Sequence, residues 1–455
     1  MMTLLAFMIT IGILVLIHEG GHFLAAKACG VHVVTFSIGF GPKVWGYQGK
    51  GGTEYQLAAI PLGGYVRMID DLEEETPTEL KDKTLAAKPL WQRAVVVIAG
   101  PLANLLLAVL LFWGMYVMGL PGVKPIIAEV IDASPAQIAG LLPGDEIIAV
   151  EGRTVHSWDE ALSRMVRLLV QKNVITMTVQ RPNGEKNLRL HVFNALNHEN
   201  SPLQVLGVVP KGVNATLAVK ATIKDSPAEK AGLKPGDLIQ GVGKTIRFEN
   251  WQAFVKWVHA HPGESAMLRI LREGQPLEIN VTLGARGQEG FIGIIPKIEG
   301  ETLIRLASWQ ALQTAFYQTW DIIAASLIAL YKILTGSLSW KNLGGPLTIA
   351  DVAGASASLG LVPYLKTLAV ISIGLGVLNL LPIPLLDGGH LLYYIIESIR
   401  GHPLSKEAML WGQKIGLALL GALMLLALYN DVLRVVVPRI VTLSRNLSRI
   451  LGLGA

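Results

Sequence analysis

The chain has 455 residues, of which 51% are hydrophobic and 16% are charged, and its mean hydropathy is +0.46. Soluble domains carry roughly 25% charged residues, so this composition disfavours a soluble protein and predicts membrane-spanning segments. The net charge of +5 does not indicate nucleic-acid binding, because the basic residues form no stripe interleaved with aromatic residues, and the single cysteine, Cys29, excludes an intramolecular disulfide and a cysteine-based zinc site.

Four apolar stretches approach the length of about 20 residues that a helix needs to cross a bilayer. We expect a first span at 1–29, a second at 94–120, a third at 363–390 and a fourth at 411–431. The N-terminus has no basic region and no small-residue cleavage site, so we expect the first span to be retained. The connecting segments are then a loop at 30–93, a short loop at 391–410 and a basic tail at 432–455.

The first span carries the pattern H-E-x-x-H, from His18 through Glu19 to His22. Residues i and i+4 lie on one face of a helix, so both imidazoles can reach one ion while Glu19 takes a proton from water at the metal. Zinc suits this chemistry because it lowers the pKa of bound water to about 7. A chance match or a pair of satisfied core histidines is the alternative, but three ionisable residues at membrane depth favour a bound divalent cation.

The loop at 30–93 contains a predicted β-hairpin. Residues 54–67 alternate as a strand does and include a Pro-Leu-Gly-Gly turn. Water made acidic by zinc can attack an amide carbonyl. A helical polypeptide would have to be extended before its amides could be attacked, and an edge strand can hold it open by backbone pairing. We therefore predict that this hairpin lies beside the metal, with an ordinary surface hairpin as the alternative. The predicted substrate-binding residues are Tyr55, Leu57, Gly63 and Gly64.

The segment between the second and third spans contains an internal repeat. The sequence S-P-A-Q-I-A-G-L-L-P-G-D, Ser134 to Asp145, recurs as S-P-A-E-K-A-G-L-K-P-G-D, Ser226 to Asp237. Each copy continues into a strand, a helix and further alternating strands. The pattern predicts two β-rich domains in tandem and resembles the PDZ domains of bacterial envelope proteases, which bind peptides by strand addition. Alternatively, these domains bind nothing. Their predicted bounds are 121–206 and 207–298.

An amphipathic, interfacial helical region is expected at 299–362. Its longest apolar stretch, 303–334, is broken by Asp321 and carries tryptophan and glutamine residues, which suits a helix lying in the membrane interface better than a span.

The end of the third span reads N-L-L-P-I-P-L-L-D-G, from Asn379 to Gly388. Two prolines break the helix at membrane depth, which is tolerated only where protein or a water-filled cavity surrounds the backbone. A catalytic zinc normally has three protein ligands, and Asp387 is the candidate for the third. To share an ion with His22, Asp387 must lie at the same depth, so the first and third spans must run parallel. The alternative is an aspartate that caps a helix at the membrane surface.

H-E-x-x-H in a first span, together with N-x-x-P-x-P-x-L-D-G near the end of a later one, resembles the site-2 protease family of intramembrane zinc metalloproteases. The resemblance covers essentially the whole chain. It implies a polytopic α-helical membrane protein with four transmembrane helices and the two PDZ-like domains inserted between the second and third. It implies one zinc ion per chain with ligands His18, His22 and Asp387. It implies Glu19 as the catalytic residue and further motif positions, assigned to substrate binding, at Asn379, Pro382 and Pro384.

The resemblance also implies the biological setting. The implied enzyme is a bacterial inner-membrane endopeptidase of regulated intramembrane proteolysis and the envelope stress response. Its implied substrates are transmembrane segments of single-span proteins already trimmed on their outer side, such as an anti-sigma factor or signal-peptide remnants. The PDZ-like domains would receive peptides or substrate ectodomains and act as a size filter.

Parallel first and third spans put the loop at 30–93 on the active-site side and the repeats and C-terminus on the other. The resemblance implies that the active-site side is cytoplasmic and that the PDZ-like domains and C-terminus are periplasmic. Basic residues support this orientation only in part, because the loop at 30–93 has seven while the tail also carries Arg434, Arg439, Arg445 and Arg449.

Two functions of other classes compete with proteolysis. A membrane-anchored PDZ adaptor would hold a structural zinc ion or none. A transporter would explain the broken span and the charges at membrane depth, but the membrane helices show no internal repeat of the kind that transporters carry.

Overall fold

The computed structural model describes residues 2–69, 78–171, 174–192, 202–223, 226–286, 289–337, 339–340 and 343–433. The chain divides into two compact units. The first unit consists of Met1–Met115 and Ser308–Asp431, and the second contains Tyr116–Ala307. The predicted basic tail lies outside the described residues from position 434 onwards.

The first unit opens with two long apolar helices separated by a small sheet. The elements are α1 (Met2–Ala28), β1 (Val33–Gln48), β2 (Glu54–Met68), a short 3-10 helix (Thr78–Lys83) and α2 (Leu90–Met118). Residues 33–38 of β1 pair with residues 64–68 of β2 on one side and with residues 54–57 on the other. Residues 54–57 pair in turn with residues 45–48. The two strands therefore fold back on themselves into a four-segment sheet whose two outer segments are 45–48 and 64–68.

The first repeat of the second unit is a four-stranded sheet, in the order β6-β5-β7-β8, and a separate β4-β9 pair. Its elements are β3 (Leu120–Val123), β4 (Ile127–Val130), α3 (Pro135–Ile138), β5 (Glu146–Val150), β6 (Arg153–Thr154), α4 (Trp158–Gln171), β7 (Val174–Arg181), β8 (Gly184–His191), α5 (Pro202–Leu206) and β9 (Val208–Pro210). Because β9 pairs with β4, residues 208–210 belong to this repeat, which moves the boundary past the predicted position 206.

The second repeat follows the order of β4 to β8, and a pair of short strands then stands where the first repeat has α5. Its elements are β10 (Ala215–Thr222), α6 (Pro227–Lys230), β11 (Leu238–Val242), β12 (Ile246–Arg247), α7 (Trp251–Ala260), β13 (Ser265–Arg272), β14 (Gln275–Thr282), β15 (Gly284–Arg286), β16 (Glu289–Phe291), β17 (Ile294–Ile298) and β18 (Glu301–Ile304). The last strand, β18, pairs with β3, so the two ends of this inserted region lie side by side.

The repeated motif has the same structural role in both copies. Ser134 and Ser226 cap α3 and α6 by accepting a hydrogen bond from the backbone three residues on, and a proline follows each serine at the first helical position. The motif's final aspartate forms a bidentate ion pair with an arginine in each copy, Asp145 with Arg181 and Asp237 with Arg272. The repeat is thus a local folding unit, used twice.

The first unit is completed by five helices. They are α8 (Ser308–Leu334), α9 (Pro346–Leu359), α10 (Leu361–Leu380), α11 (Asp387–Arg400) and α12 (Lys406–Asp431). Asp431 at the end of α12 accepts hydrogen bonds from the backbone of Gly345 and Leu347, at the beginning of α9. This carboxylate satisfies amides that the first turn of a helix leaves unpaired, and it ties α12 to α9.

Among the described residues, four helices are long and apolar enough to cross a membrane: Thr3–Ala28, Leu90–Met118, Leu361–Leu380 and Glu407–Asp431. The third is shorter than the predicted span 363–390, because the helix ends at Leu380 and a new one begins at Asp387. The predicted short loop at 391–410 is accordingly helical up to Arg400. The 27-residue helix α8 is not among the four, and its interfacial position stays a prediction.

Candidate metal centre

The helix α1 brings His18 and His22 together. The two residues are one turn apart on the same face, both are buried, and their Nε2 atoms are 3.3 Å apart. Two glycines allow the second membrane helix to approach this face. A Cβ at Gly21 would lie 2.4 Å from the carbonyl oxygen of Ala99, and a Cβ at Gly100 would lie 2.2 Å from Nε2 of His22. The close approach of α1 and α2 therefore requires glycine on both helices.

Asp387 supplies a third ligand atom from the other end of the sequence. Its Oδ2 lies 3.2 Å from Nε2 of His18 and 3.5 Å from Nε2 of His22. The chain reaches this point by a tight turn between α10 and α11, in which Leu385 has a φ of +86°. A Cβ at Gly388 would lie 2.1 Å from the carbonyl oxygen of Leu381, so the residue after the aspartate must be glycine for the turn to close.

The three ligand atoms fit a zinc ion. Ligands held at about 2.0–2.2 Å in a tetrahedron are about 3.3–3.6 Å apart, close to the three distances observed here. In the neutral imidazoles the facing nitrogens are acceptors, as is the carboxylate, so only a cation or added protons can hold them together. Oδ2 of Asp387 is buried and has no hydrogen-bond partner among the described residues. These observations are those expected of a metal centre with ligands His18, His22 and Asp387.

The remaining ring nitrogens of the two histidines are held by α2. Nδ1–H of His22 donates to the carbonyl oxygen of Val96, at 2.8 Å, which leaves Nε2 free for a metal. The side-chain amide of Asn104 lies 3.2 Å from Nδ1 of His18. When that nitrogen carries the proton, Oδ1 of Asn104 must accept it, and a 180° turn of the amide achieves this. Oδ1 is buried and otherwise lacks a partner among the described residues.

Asn104 and Val96 were not predicted as site residues. The sequence offered one signal for Asn104, a polar amide within an uncharged apolar run in the pattern Gly-Pro-Leu-Ala-Asn. It offered none for Val96, because any residue provides a carbonyl group. Asn379 does lie at the centre, since its Nδ2 is 3.2 Å from Nε2 of His18.

Glu19 lies beside the candidate metal ligands and against the outer sheet segment 64–68. A Cβ at Gly64 would lie 3.2 Å from Cγ of Glu19 and 2.7 Å from the side chain of Val15. The strand can therefore approach α1 this closely only with glycine at position 64. The preceding residue, Gly63, has a φ of +117° and faces the ring of Phe40. The hairpin predicted from the sequence therefore does lie beside the histidines, through its Gly63 and Gly64 corner.

Tyr55 and Leu57 occupy a different part of the hairpin. They belong to the inner segment 54–57, which has paired segments on both sides. Neither residue lines the cavity at the metal ligands, whereas residues 63–69 do. The strand next to the site is thus 64–68 rather than 54–57, because the fold-back of β1 and β2 brings the later segment to the edge.

The cavity beside His18, His22 and Asp387 has a volume of about 890 Å³. His18, Glu19, His22 and Asp387 line one part, and the segment 63–69 runs along one wall. Four residues from one face of α11, His390, Tyr393, Tyr394 and Glu397, also line the cavity, together with Arg93 of α2.

Pro382 and Pro384 do not line this cavity. They lie in the turn between α10 and α11, where the carbonyl oxygen of Pro384 would be 2.1 Å from a Cβ at Gly416 of α12. In this structure they form the break that lets α11 begin at Asp387.

Known proteins match this chain over nearly its whole length. The model of peptidase family M50 matches residues 6–423. Protease RseP of Yersinia pestis is 38% identical over 444 residues, which cover 94% of this chain and 98% of that protein. The regulator of sigma-E protease RseP of Escherichia coli K12 has the same identity and coverage. Among solved structures, the PDZ domain of an SdrC-like protein from Listeria monocytogenes covers 19% of this chain and 90% of its own, at 23% identity and a TM-score of 0.16.

Proposed function

Because the chain belongs to peptidase family M50, as a zinc metalloprotease of the site-2 type, we propose that it cuts transmembrane segments at the centre formed by His18, His22 and Asp387. The observation that carries this proposal is the convergence of three ligand atoms within 3.5 Å beside the carboxylate of Glu19. Two of these ligands and Glu19 come from a helix apolar enough to cross a membrane, so the cut lies within or near the membrane.

The residues divide the chemistry between them. Bound zinc supplies a Lewis acid, which polarises a carbonyl and makes water acidic. Glu19 accepts the proton of the attacking water as its oxygen joins the carbonyl carbon, and passes that proton to the amide nitrogen when the carbon–nitrogen bond breaks. The hydrogen bonds of His22 to Val96 and of His18 to Asn104 keep both imidazoles oriented with Nε2 towards the ion.

The segment 64–68 is the proposed binding edge for substrate. It forms one outer edge of its sheet and lines the cavity beside Glu19. An edge strand has unpaired backbone groups, so an extended substrate segment can pair with it and present its amides to the centre. Asn379, next to His18, is proposed to contact the extended substrate segment as well.

The substrates proposed are membrane proteins with a single span, already trimmed on their outer side. The name of the Escherichia coli relative refers to regulation of sigma-E, and on that basis an anti-sigma factor is proposed as one substrate. The two β-rich repeats are proposed as PDZ-like domains that bind peptides or exclude intact ectodomains. The protein is proposed to lie in the bacterial inner membrane with its active site near the cytoplasmic side and its repeats in the periplasm.

A Glu19→Gln variant tests the proposal. The amide cannot accept the proton, so cleavage of a model transmembrane substrate should fall by at least about a hundredfold, while zinc content stays at that of the unsubstituted protein. Glu54→Gln, at an exposed carboxylate on the hairpin, is the control and should cleave normally. Cleavage that persists in Glu19→Gln would contradict the proposal. Full function after His18→Ala would instead favour the PDZ adaptor.

A further inference from the structure

The helix α2 contacts the metal centre at two levels. At Val96 it accepts the hydrogen bond from His22, as described above. One turn earlier, Arg93 of the same helix faces α11, the helix that begins with the third ligand. The beginning of α2 is therefore connected to ligands from both ends of the sequence.

Arg93 contacts two side chains of α11. Its guanidinium forms a bidentate ion pair with the carboxylate of Glu397, with Nη1 3.0 Å from Oε2 and Nη2 in close contact with Oε1. The same guanidinium lies 5.1 Å from the ring centroid of Tyr394. Both members of the ion pair have only 16% of their side-chain surface exposed, so the pair is screened much less than a surface salt bridge.

These contacts hold the end of α11 that is remote from the ligand. Asp387 is the first residue of α11, and Glu397 lies ten residues later, about 15 Å along the helix axis. At the ligand end, the chain enters α11 through the turn that contains Leu385, and Gly388 packs against the backbone of that turn. A helix of 14 residues is stiff, so fixing its far end to α2 fixes the direction in which its first residue points.

We propose that the Arg93–Glu397 ion pair is a positioning device that sets the distance between Asp387 and the two histidines. The inference rests on the proposed metal centre. His22 is held by Val96 of α2, and Asp387 is held, through α11 and Glu397, by Arg93 of α2. One turn of α2, from Arg93 to Val96, thus holds both His22 and Asp387, which are 365 residues apart in the sequence.

Arginine is required by this geometry. Its planar fork makes two parallel hydrogen bonds to a carboxylate and stacks on an aromatic ring, whereas lysine is a point charge on a flexible stem. A lysine at position 93 would keep the charge and lose the fixed orientation.

The test is the zinc affinity of the full-length protein in detergent, measured by competition with a chelator. Arg93→Gln and Glu397→Gln should each weaken zinc binding by up to about tenfold, the lower end of the loss caused by removing a group that hydrogen-bonds to a ligand directly. Arg93→Lys should give a smaller loss. The double variant R93E/E397R restores the bidentate pair with its direction reversed and should recover much of the affinity. With Co²⁺ in place of zinc, the visible absorption of the single variants should change and that of the double variant should return.

Two reference variants separate the explanations. Arg272→Gln breaks a bidentate pair of the same kind in the second β-rich repeat and should leave zinc affinity unchanged. His18→Ala should abolish binding, and if it does not, the proposed metal centre itself is wrong. If His18→Ala abolishes binding while Arg93→Gln and Glu397→Gln bind zinc normally, only the positioning role is wrong. A folded R93E/E397R variant without any recovery of affinity would also overturn it.

Discussion

Gly100 on α2 lies directly against the imidazole of His22 on α1, so closely that a Cβ at Gly100 would be 2.2 Å from Nε2. Gly100→Ala should displace the imidazole from the metal position, weaken zinc binding by at least about tenfold and abolish cleavage. Gly114→Ala is the matched control on the same helix, because among the described residues no atom outside the adjoining helix backbone lies within 4 Å of a Cβ there. It should bind zinc normally and be up to about 1 kcal/mol more stable, since alanine favours a helix. Zinc content and thermal unfolding measure both effects.

Asn104 is expected to orient His18. Asn104→Ala removes the acceptor for Nδ1–H of His18 and should reduce zinc affinity by about 10–100-fold, as measured by chelator competition. Ser372→Ala is the control, because the Ser372 hydroxyl donates to the backbone oxygen of Asn104, at 2.8 Å, and does not contact His18. If Asn104→Ala binds zinc as tightly as Ser372→Ala and the unsubstituted protein do, Asn104 has no orienting role.

Gly64 allows the edge strand to lie against Glu19. In Gly64→Ala the new methyl group would be 2.6 Å from the carbonyl oxygen of Ser37 and 3.2 Å from Cγ of Glu19, so the strand must move away. We expect the cleavage rate to fall about tenfold or more while zinc stays bound, because small displacements of a positioned substrate cost much of the rate. Gly51→Ala, in the open turn of the same hairpin, should cleave normally. An unaffected rate in Gly64→Ala would argue against strand pairing.

The second β-rich repeat should lose stability in acid through Asp237. Burial of this carboxyl raises its pKa, but the hydrogen bonds from Arg272 and from the Lys234 amide outweigh burial and bring the pKa below its usual value. The ionised form is therefore favoured in the folded state, and its stabilisation, about 1–3 kcal/mol, is complete above the unfolded pKa of about 4. It is lost as the pH falls through the lower, folded value.

The Asp237→Asn variant checks this assignment. It should be less stable at pH 7 and should lack that part of the acid-induced loss. Limited proteolysis of the full chain between pH 7 and pH 3, with fragments identified by mass spectrometry, follows the repeat. Identical pH profiles for the variant and the unsubstituted protein would exclude Asp237 as the cause.

Cys29 provides a direct test of orientation, because it is the chain's only cysteine and stands just after α1. With the active-site side facing the cytoplasm, a membrane-impermeant maleimide added to cells with a permeable outer membrane should label Cys29 only after the inner membrane is opened. In a Cys29→Ala background, a cysteine at Asn183, in the exposed β7–β8 turn, should be labelled without that step. The opposite pattern would reverse the proposed topology.

The sequence alone was sufficient where the physics is local. Helical periodicity puts residues i and i+4 on one face, so the spacing of His18 and His22 predicted their approach without knowledge of any other element. The repeated Ser-Pro-Ala motif predicted two similar folding units, because its serine cap, its proline and its aspartate act within one domain. Four of the helices predicted from apolar length are present, with changed ends at the break before Asp387.

Tertiary structure decided what depends on contacts between elements distant in the sequence. The motif around Asp387 identified that residue as a candidate, but only packing brings its carboxylate within 3.5 Å of both histidines. The sheet edge at 64–68 follows from a fold-back of two strands, and strand alternation, which has the same period in every segment, could not choose it over 54–57. The pattern from Gly100 to Asn104 is visible in the sequence but does not show what either residue contacts, and the Arg93–Glu397 pair has no local signature, because the importance of all four residues comes from the neighbours that the fold provides.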